Sequence, residues 1–147
     1  MNPATTADRC NGAPGPGIDA FEALDFDVAQ FDHEAHVYVA WLYLQQYDQL
    51  EAISRYRDTL KRLTASLGIP EKYHETITWF YMIAVAENAT GKAADNWSTF
   101  KDANAALFRR HPSLICSYYS NTLLESPLAR GSFVLPDIRA PQPSPQP

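Results

Sequence analysis

The sequence predicts an all-α protein: a four-helix up-and-down bundle followed by short C-terminal helical turns. Three observations predict it. Apolar residues recur at helical spacing in four segments, capping residues and glycines bound most of these segments, and the connections between them are short. Residues 18–135 are expected to form this single domain. A leader over 1–17, rich in Pro, Gly, Ala and Thr, and a tail over 136–147 with five prolines are expected to be flexible or polyproline-like.

The first two predicted helices have clear starting residues. Asp32 is a candidate N-cap for a helix over 33–47, whose centre is apolar on every side. That run is also rich in β-branched and aromatic residues, so a buried strand is the alternative, but its length and lack of turn residues favour a helix. Asp48 and Glu51 have the spacing of a capping box for the second helix, and Gly68 is the expected stop.

The third and fourth predicted helices are bounded by proline, glycine and asparagine. Pro70 suits the first turn of a helix that runs to about Asn88, with Gly91 ending it. A fourth helix is expected from about Asn96 to Arg110. The chain beyond it is too broken for a long helix and is predicted to fold back on the bundle in one or two short turns.

Charge and hydropathy exclude some classes of partner. The chain of 147 residues has a net charge of -5 and a sequence pI near 5.2, and it has no basic run, so we expect no nucleic-acid partner. No apolar window is long enough for a bilayer span, and the N-terminus lacks the apolar core of a signal peptide. We therefore expect a cytoplasmic protein with no membrane partner.

All four histidines are predicted to meet at one end of the bundle. Short connections make the first and third helices parallel, so His33 and His36 lie at the same end as His74 and Glu75. His36 and His74 are each expected roughly 6 Å inside that end, given a rise of about 1.5 Å per residue. The fourth helix runs the other way, which returns His111 to this end.

This convergence predicts a metal site with His33, His36 and His74 as ligands. Positions i and i+3 share a helix face, and three neutral imidazoles suit Fe, Cu or Zn. A position near a helix N-terminus favours the neutral ring that a metal needs. Glu75 points about 100° away from His74 and is expected to hydrogen-bond to a ligand histidine or to act as general base, rather than to bind the metal itself.

Each histidine also has a structural interpretation. His33 is then a solvated first-turn residue, His36 a hydrogen-bonded core residue, and His74 a residue of an amphipathic helix bonded to Glu or Tyr. For His111 the structural interpretation is favoured, because a helix C-terminus stabilises a cation.

Five short motifs occur in order along the chain. They are H-x-x-H at 33–36, A-W-x-Y-L at 40–44, K-Y-H-E-T-I-T at 72–78, Y-Y-S at 118–120 and F-V-L-P-D at 133–137. This series resembles a family of small uncharacterised, mostly bacterial, all-helical proteins. The resemblance implies that the two histidine segments belong to one recurring pattern, and it implies no activity.

Two classes of function follow from these patterns. The first is a small metal-dependent enzyme acting on a small molecule, with oxidative Fe or Cu chemistry favoured over Zn-dependent hydrolysis or hydration. A metal-free variant would use His74 as acid or base near Glu75. In either case the segment after the fourth helix, with Tyr118, Tyr119 and Phe133, is a candidate lid over the histidines. The second class is a non-enzymatic helical module that binds a protein partner, with structural histidines.

Overall fold

The computed structural model describes residues 13–89 and 96–138, and within these ranges it is all-helical, as the sequence predicts. No β-strand occurs in these ranges; the only strand-like feature is an isolated bridge between Arg110 and Ser113. Most of the predicted tail over 136–147 and most of the predicted leader over 1–17 fall outside the described residues, as does Gly91. The α-helices in chain order are α1 (Ile18–Glu22), α2 (His33–Gln46), α3 (Gln49–Ser66), α4 (Glu75–Ala89), α5 (Trp97–Ala103), α6 (Asn121–Leu124) and α7 (Pro127–Gly131).

Helices α2 and α3 begin at the predicted caps. The Asp32 carboxylate accepts a hydrogen bond of 2.9 Å from the Ala35 N–H, and the Asp48 carboxylate does the same for Glu51. Gly68 follows α3 with a φ of +75°, a left-handed conformation that a residue with a Cβ adopts at a cost. Capping hydrogen bonds join residues that are close in the sequence, so these helix boundaries could be predicted from it.

Helix α4 begins later than predicted. Pro70–Lys72 form a single 3-10 turn instead of the first turn of α4, and Tyr73 has extended backbone. The α-helix starts only at Glu75, because the His74 ring accepts the Ile77 N–H at 3.1 Å and so caps the first turn. His74 therefore precedes the helix, whereas the sequence predicted it roughly 6 Å inside.

The fourth predicted helix is broken. Helix α5 covers only Trp97–Ala103, and Asn104 leaves the helical conformation with φ near -129° and ψ near 48°. A 3-10 turn over Ala105–Phe108 follows, and extended backbone then carries the chain away. The Asn104 side chain donates to the Phe100 carbonyl at 2.9 Å, a local bond that competes with helix continuation.

The three long helices α2, α3 and α4 pack against one another and enclose the main core. Helix α2 buries residues on several faces, as its apolar sequence requires, and Phe21 from α1 stacks on Tyr56 of α3. A smaller apolar cluster of Ile115, Tyr119 and Leu124 covers the outer side of α4. The up-and-down order of four helices stays a prediction.

The C-terminal segment is fastened to α4 by a buried hydroxyl. Thr76 donates to the carbonyls of Ala129 and Ser132, at 2.7 and 2.8 Å, and its oxygen lies 3.3 Å from the Val134 N–H. Tyr119 adds a hydrogen bond of 2.7 Å to the Val134 carbonyl. These bonds fix the segment beside α4.

Across the two described ranges, no helix combines the length and apolar character needed to cross a bilayer.

Candidate functional site

His36 lies in the first turns of α2, where its ring is held by the backbone that starts the helix. Its Nδ1 lies 2.8 Å from the Asp32 carbonyl oxygen. A carbonyl can only accept, so Nδ1 carries the proton and donates, and in the neutral ring Nε2 is the unprotonated nitrogen. The Phe31 ring packs against the imidazole at 4.1 Å between centroids, which restricts the ring further.

The surroundings of His36 favour the neutral ring. Burial is the largest influence and lowers the pKa of His36 below its ordinary value of 6.5. The hydrogen bond to the Asp32 carbonyl raises the pKa and so opposes burial, and the negative charge of the Asp32 carboxylate does the same. Nearby His33 and Arg110 add to it. The net result is a ring that is neutral at physiological pH.

Nε2 of His36 has no hydrogen-bond partner among the described residues. In the same part of the chain, every fully buried side-chain nitrogen or oxygen has a partner. We infer that Nε2 is open to the cavity that His36 lines. An imidazole held by Nδ1 with a bare Nε2 is able to accept a proton or a hydrogen bond.

His33 is on the same turn, and its ring is held by a different part of the chain. Its Nε2 lies 2.8 Å from the Leu107 carbonyl in the 3-10 turn after α5, so Nε2 carries the proton. The Tyr81 ring of α4 contacts the imidazole edge to face, with centroids 5.0 Å apart. His33 thus joins α2 to two other elements.

A cavity of about 410 Å³ opens at this end of α2, within the size range of small-molecule sites. We call it the His36 cavity. Most of its wall is apolar, and the lining residues that carry polar groups come from α2 and its cap, α3, α4 and the chain after α5. The residues that line it are Phe31, Asp32, His33, His36, Val37, Tyr56, Leu60, Ile77, Thr78, Tyr81 and Arg110.

His74 does not line the His36 cavity. Its Nε2 donates to the Leu124 carbonyl at 2.6 Å, and its Nδ1 accepts from the Ile77 N–H. Both ring nitrogens are therefore engaged, and the side chain joins the start of α4 to α6. Burial is the main cause of its lowered pKa, with the Leu124 hydrogen bond opposing.

Glu75 is buried in an ion pair on another side of α4. Its carboxylate accepts from Arg57 Nε at 2.8 and 3.0 Å, from the Tyr73 hydroxyl at 2.7 Å and from Trp79 Nε1 at 3.1 Å. Burial alone would raise the pKa of Glu75, but these hydrogen bonds outweigh it and the pKa lies below the ordinary value. The carboxylate is fully used by α3 and α4, and it does not line the cavity.

The four histidines are thus divided. His33 and His36 share the His36 cavity, His74 caps α4 elsewhere, and His111 is exposed. Within residues 13–89 and 96–138, no group of three or more His, Cys, Asp or Glu side chains is arranged to hold a metal ion.

Sequence reasoning missed Arg110, Tyr81 and Thr78 as cavity residues. Arg110 was expected to end a helix, and the sequence predicted its neighbour His111 at this end of the bundle instead. Thr78 and Tyr81 lie about one and two turns into α4, where apolar neighbours make them resemble core residues. Tyr118, Tyr119 and Phe133, the candidate lid residues, do not line the cavity.

No family model, curated protein or solved structure matches this chain. The resemblance carried by the five motifs therefore stays a prediction.

Proposed function

We propose that the His36 cavity binds a small, partly apolar molecule and that His36 Nε2 accepts a proton from that molecule or from a water beside it. The protein would then be a small enzyme that uses acid–base chemistry without needing a metal. The observation that carries the proposal is the fixed, neutral imidazole with Nδ1 bonded to the Asp32 carbonyl and Nε2 without a partner. The first turns of α2 and α4 both border the cavity, which agrees with parallel helices in an up-and-down arrangement.

Hydrolysis of 4-nitrophenyl acetate tests the acid–base step, since this aromatic ester is of a size for the cavity. His36 Nε2 would take a proton from water as the oxygen attacks the ester carbonyl. The products are acetate and 4-nitrophenolate, and the imidazolium returns its proton to solvent. We expect His36→Asn to abolish most of the rate above buffer, because the Asn amide can keep the bond to Asp32 but has no Nε2.

The matched control is His111→Asn, which removes an exposed histidine outside the cavity. We expect its rate to equal that of the wild type. Equal rates for the wild type and His36→Asn, with both proteins folded by circular dichroism, would contradict the acid–base proposal.

A metal-dependent reaction with His33, His36 and His74 as ligands and Fe, Cu or Zn as the ion is the second candidate. It is supported by two imidazoles in one cavity, and it would require His74 to leave its bonds to Leu124 and Ile77. Metal analysis by mass spectrometry of untagged protein tests it. Stoichiometric metal that is lost in both His36→Ala and His74→Ala would favour this candidate over the metal-free one.

The cytoplasmic location and the non-enzymatic interaction module stay predictions. A partner-binding module needs no unpartnered imidazole nitrogen beside a cavity, so the geometry of His36 favours a small-molecule site.

A further inference from the structure

Arg110 places an unpaired positive charge at the wall of the His36 cavity. Within the described ranges, the exposed Arg110 guanidinium makes no ion pair and no hydrogen bond, although five cation–carboxylate contacts occur there. It lies near enough to His36 to lower the pKa of that ring. A guanidinium that lines a cavity without an anionic partner is able to bind one from a ligand.

The other charges around the cavity are already engaged. The Asp32 carboxylate lines it but accepts the Ala35 N–H as the cap of α2. Glu34, on the same turn, is paired with Lys101 at 2.8 Å. His33 donates its Nε2 proton to Leu107. The Asp32 carboxylate has this hydrogen bond but no ion pair, whereas the Arg110 guanidinium has neither among the described residues.

The rest of the wall favours a ligand that is mostly apolar and carries a single charge. Phe31, Val37, Leu60 and Ile77 supply aromatic and aliphatic surface. One guanidinium beside a mostly apolar wall balances a single negative charge, whereas a phosphate dianion would leave charge uncompensated in this setting. A planar carboxylate also matches the two parallel donors of a guanidinium.

We propose that the ligand of the His36 cavity is a small aromatic or aliphatic carboxylate that binds Arg110 through its carboxylate and donates an O–H or N–H to His36 Nε2. This inference rests on the proposed function, since it names the substrate class of the same cavity. Arg110 selects the charge of the ligand, and His36 contacts the group that transfers a proton.

Binding of two matched probes tests this assignment. 4-Hydroxybenzoate carries the carboxylate and a hydroxyl, and 4-hydroxybenzamide has the same shape without the charge. We expect Arg110→Gln to weaken 4-hydroxybenzoate binding by roughly tenfold or more, the loss of a charge-assisted hydrogen bond, and to change 4-hydroxybenzamide binding by less than about twofold. Chemical-shift titration of the labelled protein measures both affinities and shows whether the shifts cluster at the cavity.

The neighbouring Arg109 supplies the matched control, because it is exposed like Arg110 but does not line the cavity. Arg109→Gln is expected to bind both probes like the wild type. Equal weakening by Arg109→Gln and Arg110→Gln would show a diffuse charge effect and overturn the assignment of Arg110.

Two further outcomes separate this inference from the proposed function. If both probes shift cavity resonances with equal affinity in wild type and Arg110→Gln, the carboxylate class fails while the cavity remains a binding site. If neither probe shifts cavity resonances at millimolar concentration, both proposals fail.

Discussion

Two histidines of this chain have opposite roles, and the atoms around each ring decide which. His74 uses both nitrogens inside the protein, one to hold Leu124 and one to cap α4. His36 uses one nitrogen for the backbone of its own helix and keeps the other free of protein partners. Burial lowers the pKa of both, so pKa alone does not distinguish a structural histidine from a candidate base. The hydrogen bonding of the second ring nitrogen distinguishes the two roles.

Acid is expected to remove the stability that His74 contributes. Protonation would add a proton at Nδ1, where the Ile77 N–H already donates, so the folded protein resists it and the pKa is lowered. The unfolded chain binds the proton at the ordinary pKa of 6.5, so stability is present above that value and is lost as pH falls below it. The destabilisation caused by His74→Asn should therefore be smaller at pH 5.5 than at pH 7.5 in urea unfolding.

Ser126→Ala is the control for this pH effect, because it removes the cap of α7 without removing a titratable group. Its destabilisation should be the same at both pH values. A destabilisation by His74→Asn that does not change with pH would contradict the bonding assigned to the ring.

The buried carboxylate of Glu75 is expected to stabilise the contact between α3 and α4. In Glu75→Gln an amide NH₂ would face donors from Arg57, Tyr73 or Trp79, and the guanidinium would lose its anion. We expect the free energy of unfolding to fall by about 1–3 kcal/mol, discounted from a fully buried pair because Arg57 is partly exposed. Glu87→Gln, on the exposed face of α4, should change it by less than about 0.5 kcal/mol. Equal effects of the two substitutions would show that the pair contributes nothing.

At the scale of elements, α4 lines the cavity with one face and holds the C-terminal segment with another. Its start is set by the His74 cap, one face lines the His36 cavity with Ile77 and Thr78, and another carries the C-terminal segment through Thr76. The end of the segment is held by two hydrogen bonds, since the Asp137 carboxylate accepts from the N–H and the hydroxyl of Ser120. The described residues of this segment pack against α4 and are not among those that line the cavity.

Thr76→Val tests this attachment, because it removes the hydroxyl and keeps the shape of the fully buried side chain. The carbonyls of Ala129 and Ser132 lose their donor, and we expect a loss of about 1–3 kcal/mol in the free energy of unfolding. Amide hydrogen exchange should accelerate at Val134 and at Tyr119, whose hydroxyl bonds the same stretch.

The control is Thr122→Val, an exposed threonine of α6 in the same segment. It should leave both stability and exchange unchanged. Exchange in Thr76→Val that matches the wild type throughout the segment would contradict the role given to the hydroxyl.

At the scale of the whole molecule, the features set by local chemistry were predictable and those set by distant contacts were not. Caps such as Asp32 and Asp48 mark helix starts within three residues, and the all-helical class follows from periodicity. The first turns of α2 and α4 and the chain after α5 contribute to the cavity, but so do Tyr56 and Leu60 of α3, which the sequence did not place there.

Which side chain each element contributes depends on partners far along the sequence. The Leu124 carbonyl, 50 residues away, fixes the His74 ring outside the cavity. The break at Asn104 changes the path of the chain, so Arg110 lines the cavity and His111 is exposed. No local pattern encodes either contact.

The protonation of His36 is the most direct test of the central claim, that a neutral imidazole with a bare Nε2 faces the cavity. Long-range ¹H–¹⁵N correlation spectra of the wild type at pH 7 report the state of each ring nitrogen, with His36→Asn assigning the signal. We expect a protonated Nδ1 and an unprotonated Nε2 whose chemical shift changes when 4-hydroxybenzamide is added. An imidazolium, or a ring with its proton on Nε2, would contradict it.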